Sequence, residues 1–391
     1  MSTLLNNPKK LIYFLVIILI SVGAINVLSA SYLESGYSYF VKHFMYGIFG
    51  FCVMYFVSKR DYRVFLRSNW LQFFYIGVLV LLLLVDAIGA VNKGAQRWLY
   101  LGPVSIQPSE VAKLIVVMMS AKVLGNMLQR GEHISLISGK GSRCFLATLV
   151  LSGLVYVQPD LGTAAIIFAL MLCVFIVAGI RKQEIFTILG VGMAGAVLFT
   201  LSTPYRLERI KVWFDPWLDE VGAGYQMVLS LLTIGSGGLI GADWGQGSGK
   251  YLYLPESHTD FAFAVFCQEN GFIGAAVIII LFLLLGCAFM KIALTTKDKR
   301  GFLLVTGVSF LVVGQAIANM AMVCGIFPVI GVPLVFISYG GTSMAVSMAA
   351  IGLALSVYNT EEKQRRQEDD QQQASPQVRR SDLRMVGRRR Y

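Results

Sequence analysis

The chain has 391 residues, of which 56% are hydrophobic and 14% are charged, and its mean hydropathy is +0.67. This composition excludes an ordinary soluble domain and predicts an integral membrane protein. The net charge of +11 lies mostly in connecting loops and in the tail, so we ascribe it to membrane topology and attraction to anionic lipid, and we expect no nucleic-acid partner.

Ten apolar runs follow one another along the chain. A spanning helix needs about 20 apolar residues, and the candidate runs are residues 11–30, 40–57, 71–91, 111–128, 144–157, 161–180, 185–203, 261–294, 302–326 and 333–358. The sequence therefore predicts an all-α integral membrane protein with about ten transmembrane helices.

Lysine and arginine are distributed unevenly between alternate loops. With ten spans, 24 of these residues fall on one side and seven on the other. Because cytoplasmic loops retain basic residues, both termini are expected in the cytoplasm, and residues 204–260 form a large outer loop between helices 7 and 8. We predict a polytopic membrane domain over residues 1–359 and a disordered, basic cytoplasmic tail over residues 360–391.

A first polar motif precedes the fourth run. It contains Arg97 and Trp98 and continues through Gln107 to Lys113. Glu110 and Lys113 are three residues apart on one helix face, where they can pair. One alternative is a capped helix whose lysine extends to the membrane surface, but an ammonium kept beneath Arg97 favours a site for an anionic group.

A second motif is the turn from Gln158 to Thr163, between the fifth and sixth runs. Aspartate at such a position commonly accepts a hydrogen bond from the backbone of the following helix. We therefore interpret Asp160 mainly as a helix cap.

The third motif is the outer loop itself. Residues 204–260 hold nine glycines, three tryptophans and eleven charged residues, a mixture that suits a shaped polar surface better than a hydrophobic core. Aromatic residues alternate with glycine turns, as in a carbohydrate- or peptide-binding surface. The glycine-rich part could equally be a flexible lid.

These motifs together resemble a known family. Residues 215–271, Arg97-Trp98, residues 107–110 and residues 333–343 look like the shape, elongation, division and sporulation (SEDS) family of bacterial wall polymerases. Within that family the motifs are more similar to the division and sporulation members than to the elongation member. The match extends over nearly the whole membrane region.

The resemblance implies an inverting glycosyltransferase that polymerises lipid II on the outer face of the bacterial cytoplasmic membrane and releases polyprenyl pyrophosphate. Asp260 matches the family's essential acid and would act as the general base. Cationic help for the leaving group would come from Arg97, Lys113 or Lys250, and Mg²⁺ or Mn²⁺ is compatible although no cofactor is certain. The implied partners are a class B penicillin-binding protein and other membrane proteins of the division machinery.

The candidate site residues fall into three groups. Asp260 is the catalytic candidate. The substrate-binding candidates are Arg97, Trp98, Glu110, Lys113, Lys250, His258 and Ser338. The site-supporting candidates are Gln107, Asp160 and Glu269.

Two departures from the family pattern concern the neighbourhood of the site. The chain has Gln268-Glu269-Asn270-Gly271 where the family has Glu-Glu-Leu-Gly, and Val335 where the family has a second proline. If a regular helix began at Asp260, Glu269 would lie about 180° around its axis and about 13 Å deeper. We therefore expect Glu269 to be a packing partner rather than a second catalytic acid.

Three alternatives remain open. The protein could transport lipid II, it could be an elongation- or sporulation-specific polymerase, or it could be an inactive scaffold for the crosslinking enzyme. A transporter should carry ionisable residues near mid-bilayer and show repeat symmetry between its halves. Neither feature is clear, and the polar motifs are concentrated on the outer side, which favours an enzyme.

Overall fold

The protein is described by a computed structural model over residues 7–92, 95–102, 104–201, 204–242 and 254–387. Most of these residues are helical. The α-helices in chain order are α1 (Pro8–Ser35), α2 (Ser38–Lys59), α3 (Tyr62–Phe65), α4 (Ser68–Ile88), α5 (Pro108–Gln129), α6 (Gly139–Val157), α7 (Leu161–Val177), α8 (Lys182–Leu201), α9 (Pro204–Phe214), α10 (Tyr225–Ser236), α11 (Ala262–Thr295), α12 (Lys299–Ser309), α13 (Gln315–Val323) and α14 (Gly341–Gly387). A π-helical turn, Phe310–Gly314, joins α12 to α13.

Within the described residues, eight helical segments are long and apolar enough to cross a membrane, with α12 and α13 counted as one. The prediction of a multi-pass helical membrane protein is therefore confirmed. The sixth predicted run forms only the 17-residue helix α7, and the seventh corresponds to α8. The count of ten spans stays a prediction.

The chain is not purely α-helical. Strands β1 (Ala90–Asn92), β2 (Ala95–Leu101) and β3 (Val104–Ile106) form a small antiparallel sheet between α4 and α5, in which Leu99 pairs with Ile106. A connection without helix must satisfy its backbone groups in another way, and strand pairing does so here. The all-α prediction missed this sheet because its strands are short beside the apolar runs.

The segment between α13 and α14, residues 324–340, lies without helix against two glycines of neighbouring helices. A Cβ atom at Gly23 of α1 would lie 2.0 Å from the carbonyl oxygen of Phe336, and one at Gly162 of α7 would lie 1.8 Å from that of Ile330. No larger residue fits at either position without moving this segment. We call residues 324–340 the returning loop.

Helix α11 is broken at Gly271, which has φ 61° and ψ −166°. The glycine-rich end of the predicted outer loop fills the break: the amide of Phe272 donates to the carbonyl of Gly238 at 3.0 Å, and that of Ala242 donates to Gln268 at 2.9 Å. As far as Ala242, the segment interpreted as a flexible lid is therefore attached to α11. The assumption of a regular helix from Asp260 was wrong, because α11 begins at Ala262 and kinks at Gly271.

The last helix passes through Thr360 without interruption and ends at Gly387, where the sequence predicts a disordered tail from residue 360. The first turns beyond Thr360 are held by contacts with the α11–α12 connection. Glu361 is buried, and Lys297 pairs with Glu368 at 2.7 Å. The predicted boundary at residue 360 is therefore not a break in the helix.

Candidate active site

The site predicted around Asp260 is a cavity of about 550 Å³. Its walls come from α2, β2, the start of α5, the residues before α11 and the returning loop. The lining residues include Tyr39, Arg97, Trp98, Gln107, Glu256, His258, Asp260, Gly331, Tyr339 and Ser343. Segments distant in sequence thus bring Asp260, Arg97, Trp98, His258 and Gln107 together.

Asp260 is presented by a tight turn that ends where α11 begins. The carbonyl of Glu256 accepts hydrogen bonds from the amides of Thr259 and Phe261, both at 3.1 Å. The hydroxyl of Thr259 donates to the Glu256 carboxylate at 2.5 Å. Glu256 itself has φ 58°, a left-handed conformation that is costly without glycine and that occurs often at functional sites.

Two buried asparagines hold the backbone at Asp260 and two residues after it. The side-chain amide of Asn319 in α13 donates to the carbonyl of Asp260 at 2.8 Å and to that of Val332 at 2.6 Å. Asn26 in α1 donates to the carbonyl of Ala262 at 3.0 Å. Sequence reasoning missed both residues, although a single amide inside an apolar run was the available signal. They fix Asp260 relative to α1, α13 and the returning loop.

Arg97 and Asp260 both lie beside Gly331. A Cβ atom at Gly331 would lie 3.5 Å from Asp260 Oδ2 and 3.7 Å from Arg97 Nη1, so these two atoms are at most 7.2 Å apart. Gly331 has φ 60°, which also favours glycine. A side chain at this position would contact both the carboxylate and the guanidinium.

The turn after α6 orients Arg97 from its other side. Arg97 Nη2 donates to the carbonyl of Pro159 at 2.5 Å, and its Nε lies 3.7 Å from Asp160 Oδ2. Asp160 also accepts from the amide of Thr163 at 3.1 Å, so its predicted capping of α7 is confirmed. Burial raises the pKa of the Asp160 carboxyl, and the charge of Arg97 opposes this rise. The sequence did not indicate the contact between Arg97 and Asp160.

Aromatic rings form one wall of the cavity. The imidazole of His258 stacks on Tyr39 with ring centroids 4.7 Å apart, and Tyr39 lies 4.8 Å from Tyr339. The amide of Tyr339 donates to the carbonyl of His258 at 2.9 Å. Burial raises the pKa of the Tyr339 phenol, which therefore stays protonated at neutral pH. Tyr39 and Tyr339 were not among the predicted site residues.

Glu110 and Lys113 form the ion pair that their spacing predicts, but this pair lies outside the cavity lining. Lys113 Nζ lies 2.6 Å from Glu110 Oε1 and 2.6 Å from Gln315 Oε1, and the lysine is 1% exposed. Gln315 in turn donates to the carbonyl of Pro333 in the returning loop at 3.3 Å. Neither Glu110 nor Lys113 lines the cavity, and their contact with substrate stays a prediction.

Ser338 and Glu269 also lie away from the cavity lining. The Ser338 hydroxyl accepts from the amide of Leu334 at 2.9 Å within the returning loop, while Ser343 reaches the cavity. Glu269 is buried and accepts from the hydroxyl of Ser29 in α1 at 2.5 Å. Lys250 lies outside the described residues.

The chain matches one protein family over almost its full length. The family model for FtsW, RodA and SpoVE, described as cell cycle protein, matches residues 9–363. Stage V sporulation protein E of Bacillus subtilis is 34% identical over 368 residues, covering 91% of this chain and 98% of the relative. A probable peptidoglycan glycosyltransferase FtsW of Geobacter sp. (strain M18) is 34% identical over 86% of this chain and 90% of the relative.

Solved structures agree with this match. One chain of a peptidoglycan synthase complex, described for its coordination of polymerization and crosslinking, superimposes with a TM-score of 0.77 and 26% identity, covering 90% of this chain and 97% of that chain. The rod shape determining protein RodA of Thermus thermophilus gives a TM-score of 0.66 at 25% identity, covering 90% and 96%. This chain therefore belongs to the FtsW/RodA/SpoVE family.

Proposed function

We propose that this chain is a peptidoglycan glycosyltransferase that polymerises lipid II on the outer face of the cytoplasmic membrane during cell division. Relatives that bear the name peptidoglycan glycosyltransferase FtsW support this activity. The observation that carries the proposal is that the carboxylate of Asp260 and the guanidinium of Arg97 both lie beside Gly331, at most 7.2 Å apart, in one aromatic-walled cavity.

Asp260 serves as the general base. It takes the proton from the 4-hydroxyl of the acceptor sugar while the hydroxyl oxygen bonds to the anomeric carbon of the donor. The bond from that carbon to the pyrophosphate oxygen breaks, with inversion, and polyprenyl pyrophosphate leaves. A single base is sufficient because the leaving group departs as an anion and needs no proton.

Arg97 stabilises the departing pyrophosphate. Charge develops on the pyrophosphate oxygens as the bond breaks, and a fixed guanidinium binds such oxygens strongly and with defined geometry. Asp160 and the carbonyl of Pro159 hold Arg97 before substrate arrives, so little reorganisation is needed during the reaction. Trp98, His258 and Gln107 are the lining residues that we assign to sugar and peptide contacts.

A divalent cation fits the acidic residues of the cavity. Mg²⁺ is commonly held by one or two carboxylates together with substrate phosphates, and Glu256 and Asp260 both line the cavity. Glu256 would hold the ion together with the substrate phosphates, so that Asp260 remains the base, and the ion would supply further positive charge for the pyrophosphate. Among the described residues there is no cluster of three or more histidine, cysteine, aspartate or glutamate side chains of the kind that forms an all-protein metal site.

We further infer a class B penicillin-binding protein as the crosslinking partner, together with other membrane proteins of the division machinery at the septum. One chain of a peptidoglycan synthase complex, described for its coordination of polymerization and crosslinking, resembles this chain, which supports such a partner. The uneven distribution of basic residues supports cytoplasmic termini.

Purified protein assayed on lipid II, with and without a class B penicillin-binding protein, tests the activity. We expect glycan strands and release of polyprenyl pyrophosphate. A parallel assay in sealed vesicles measures movement of lipid II between leaflets. Movement of lipid II without any glycan product would support the transporter instead, and neither activity, with intact partner binding, would support the scaffold.

A further inference from the structure

Two adjoining cavities lie at the opposite end of α2 from the active site, where the start of α1 meets α14. Lys9 near the start of α1 donates to Asn359 of α14 at 2.8 Å, which joins these two helices there. The first cavity, of about 230 Å³, lies between the end of α2 and α14. The second, of about 480 Å³, shares Lys59 and Arg60 with the first.

The first cavity is strongly basic. Its charged lining consists of Lys59, Arg60, Arg63 and Lys363 against the single carboxylate of Asp61. Asp61 already caps α3 by accepting from the amide of Arg63 at 2.9 Å. An excess of three positive charges around one small cavity favours binding of an anionic ligand.

The four cations differ in how far the protein engages them. Arg63 Nε lies 3.5 Å from Asp298, and the ammonium of Lys59 lies 5.1 Å from the ring centroid of Tyr55. Arg60 and Lys363 are exposed, and the described residues offer neither side chain a hydrogen bond or an ion pair. These two cations are therefore the ones most available to a ligand.

The second cavity is apolar apart from the shared cations. Phe56, Val57 and Phe65 complete its lining, and the side chain of Phe56 is 69% exposed at the end of a membrane-spanning helix. A free phosphate ion has no apolar part that could pack in such a groove. A phospholipid has both an anionic headgroup and acyl chains, so it matches both cavities.

We propose that these cavities bind one anionic phospholipid from the membrane leaflet at this end of α2. Its phosphate contacts Arg60, Lys59 and Lys363, and an acyl chain lies along Phe56. Lys363 belongs to the extension of α14 past Asn359, so the lipid connects this extension to α2. The extension is also held by Asn359, whose side-chain amide donates to the carbonyl of Ser58 at 2.8 Å.

The test is lipid binding by the full-length protein in phosphatidylcholine nanodiscs, titrated with phosphatidylglycerol and followed by native mass spectrometry. Two basic side chains that contact the headgroup should each contribute about fivefold to binding, so the Arg60→Gln/Lys363→Gln double variant should bind phosphatidylglycerol about 25-fold more weakly. The matched control, Arg67→Gln/Lys182→Gln, removes two exposed cations outside both cavities and should bind as the parental protein does. Equal affinity of the two double variants would overturn the proposal.

Two further measurements separate a lipid from a free anion. Phe56→Ser should weaken binding of phosphatidylglycerol while leaving the weak binding of glycerol 3-phosphate unchanged. Inorganic phosphate at millimolar concentration should not displace the lipid. Displacement by inorganic phosphate, or an unchanged lipid affinity for Phe56→Ser, would show that the site takes a soluble anion and would contradict a lipid site.

Discussion

Two regions of this protein each combine a carboxylate with a cation. In one region the charged groups line a cavity, and in the other they contact each other inside the helix bundle. In the active-site cavity, Asp260 Oδ2 and Arg97 Nη1 both lie near Gly331, at most 7.2 Å apart. Behind that cavity, Lys113 is closed off by Glu110 and Gln315 at 2.6 Å each. Charges that face a cavity are available to a substrate, whereas charges that satisfy each other inside a bundle chiefly hold the helices in register.

Breaking the buried pair of Glu110 and Lys113 should chiefly reduce the stability of the protein. Lys113→Met leaves the Glu110 carboxylate buried without its cation, so we expect unfolding to become easier by about 3–5 kcal/mol. Thermal unfolding in detergent micelles measures this loss. The double variant Glu110→Gln/Lys113→Met leaves no buried charge and should recover most of it. If Lys113→Met instead unfolds like the parental protein but fails to bind lipid II, Lys113 belongs to the substrate site.

Changing Arg97 should instead affect the rate of polymerisation more than the stability of the protein. Arg97→Gln removes the charge that we assign to the pyrophosphate, so polymerisation should fall about 10²-fold. Arg97→Lys keeps the charge but loses the planar fork, so it should recover only part of the rate. An unchanged rate for Arg97→Gln would remove Arg97 from the proposed mechanism.

Arg97→Gln should also alter the pH dependence of stability. Burial raises the pKa of Asp160, and Arg97 counteracts this rise. Without Arg97 the folded-state pKa rises further, so the folded protein holds a proton that the unfolded chain releases above a pH of about 4. Both proteins should therefore lose stability as pH rises above about 4, and the variant should lose more, because its folded state releases the Asp160 proton only at a higher pH. If the stabilities of the two proteins had the same pH dependence, this would contradict an effect of Arg97 on the pKa of Asp160.

A smaller effect is expected at the asparagine that holds the turn. Asn319→Leu leaves the carbonyls of Asp260 and Val332 without their donor, a loss of about 1–3 kcal/mol. Because the carboxylate itself remains, binding of lipid II should persist while turnover falls through misplacement of Asp260. Asn319→Leu with full turnover would show that Asn319 does not position the acid. Ile317, exposed on the same helix, provides the control variant Ile317→Leu.

The smallest effect is expected at Ser338. Its hydroxyl accepts from the amide of Leu334 inside the returning loop, so Ser338→Ala should cost about 1 kcal/mol of stability and leave the rate nearly unchanged. Ser343→Ala, which alters the cavity lining, should reduce the rate more. The opposite ranking in the polymerisation assay would restore Ser338 as a substrate-binding residue.

The sequence predicts features that depend on local spacing. The Glu110–Lys113 pair and the cap from Asp160 to Thr163 each join residues three positions apart, so helix geometry alone is enough to expect them. The spanning helices follow from long apolar runs for the same reason. These features need no knowledge of which helices are neighbours.

Contacts between distant segments could not be predicted in this way. Nothing in the spacing of Asn319 and Asp260, or of Arg97 and Asp160, shows that a helix end and a turn meet. The position of the returning loop depends on close approach at Gly23 and Gly162, which becomes evident only once the helices are packed. Ser338 is a site candidate only because it lies in a motif of the family, and the structure places Ser343 in the cavity instead.

The most direct test of the central claim is the turnover of Asp260→Asn on bound lipid II. Asparagine keeps the size of the side chain but cannot take the proton, so we predict near-parental lipid II binding and thermal stability, with a polymerisation rate reduced by about 10²–10⁴-fold. Glu220→Gln makes the same change from acid to amide at an exposed residue that does not line the cavity and should remain fully active. Near-parental polymerisation by Asp260→Asn, or equal losses from both changes, would contradict the assignment of Asp260 as the general base.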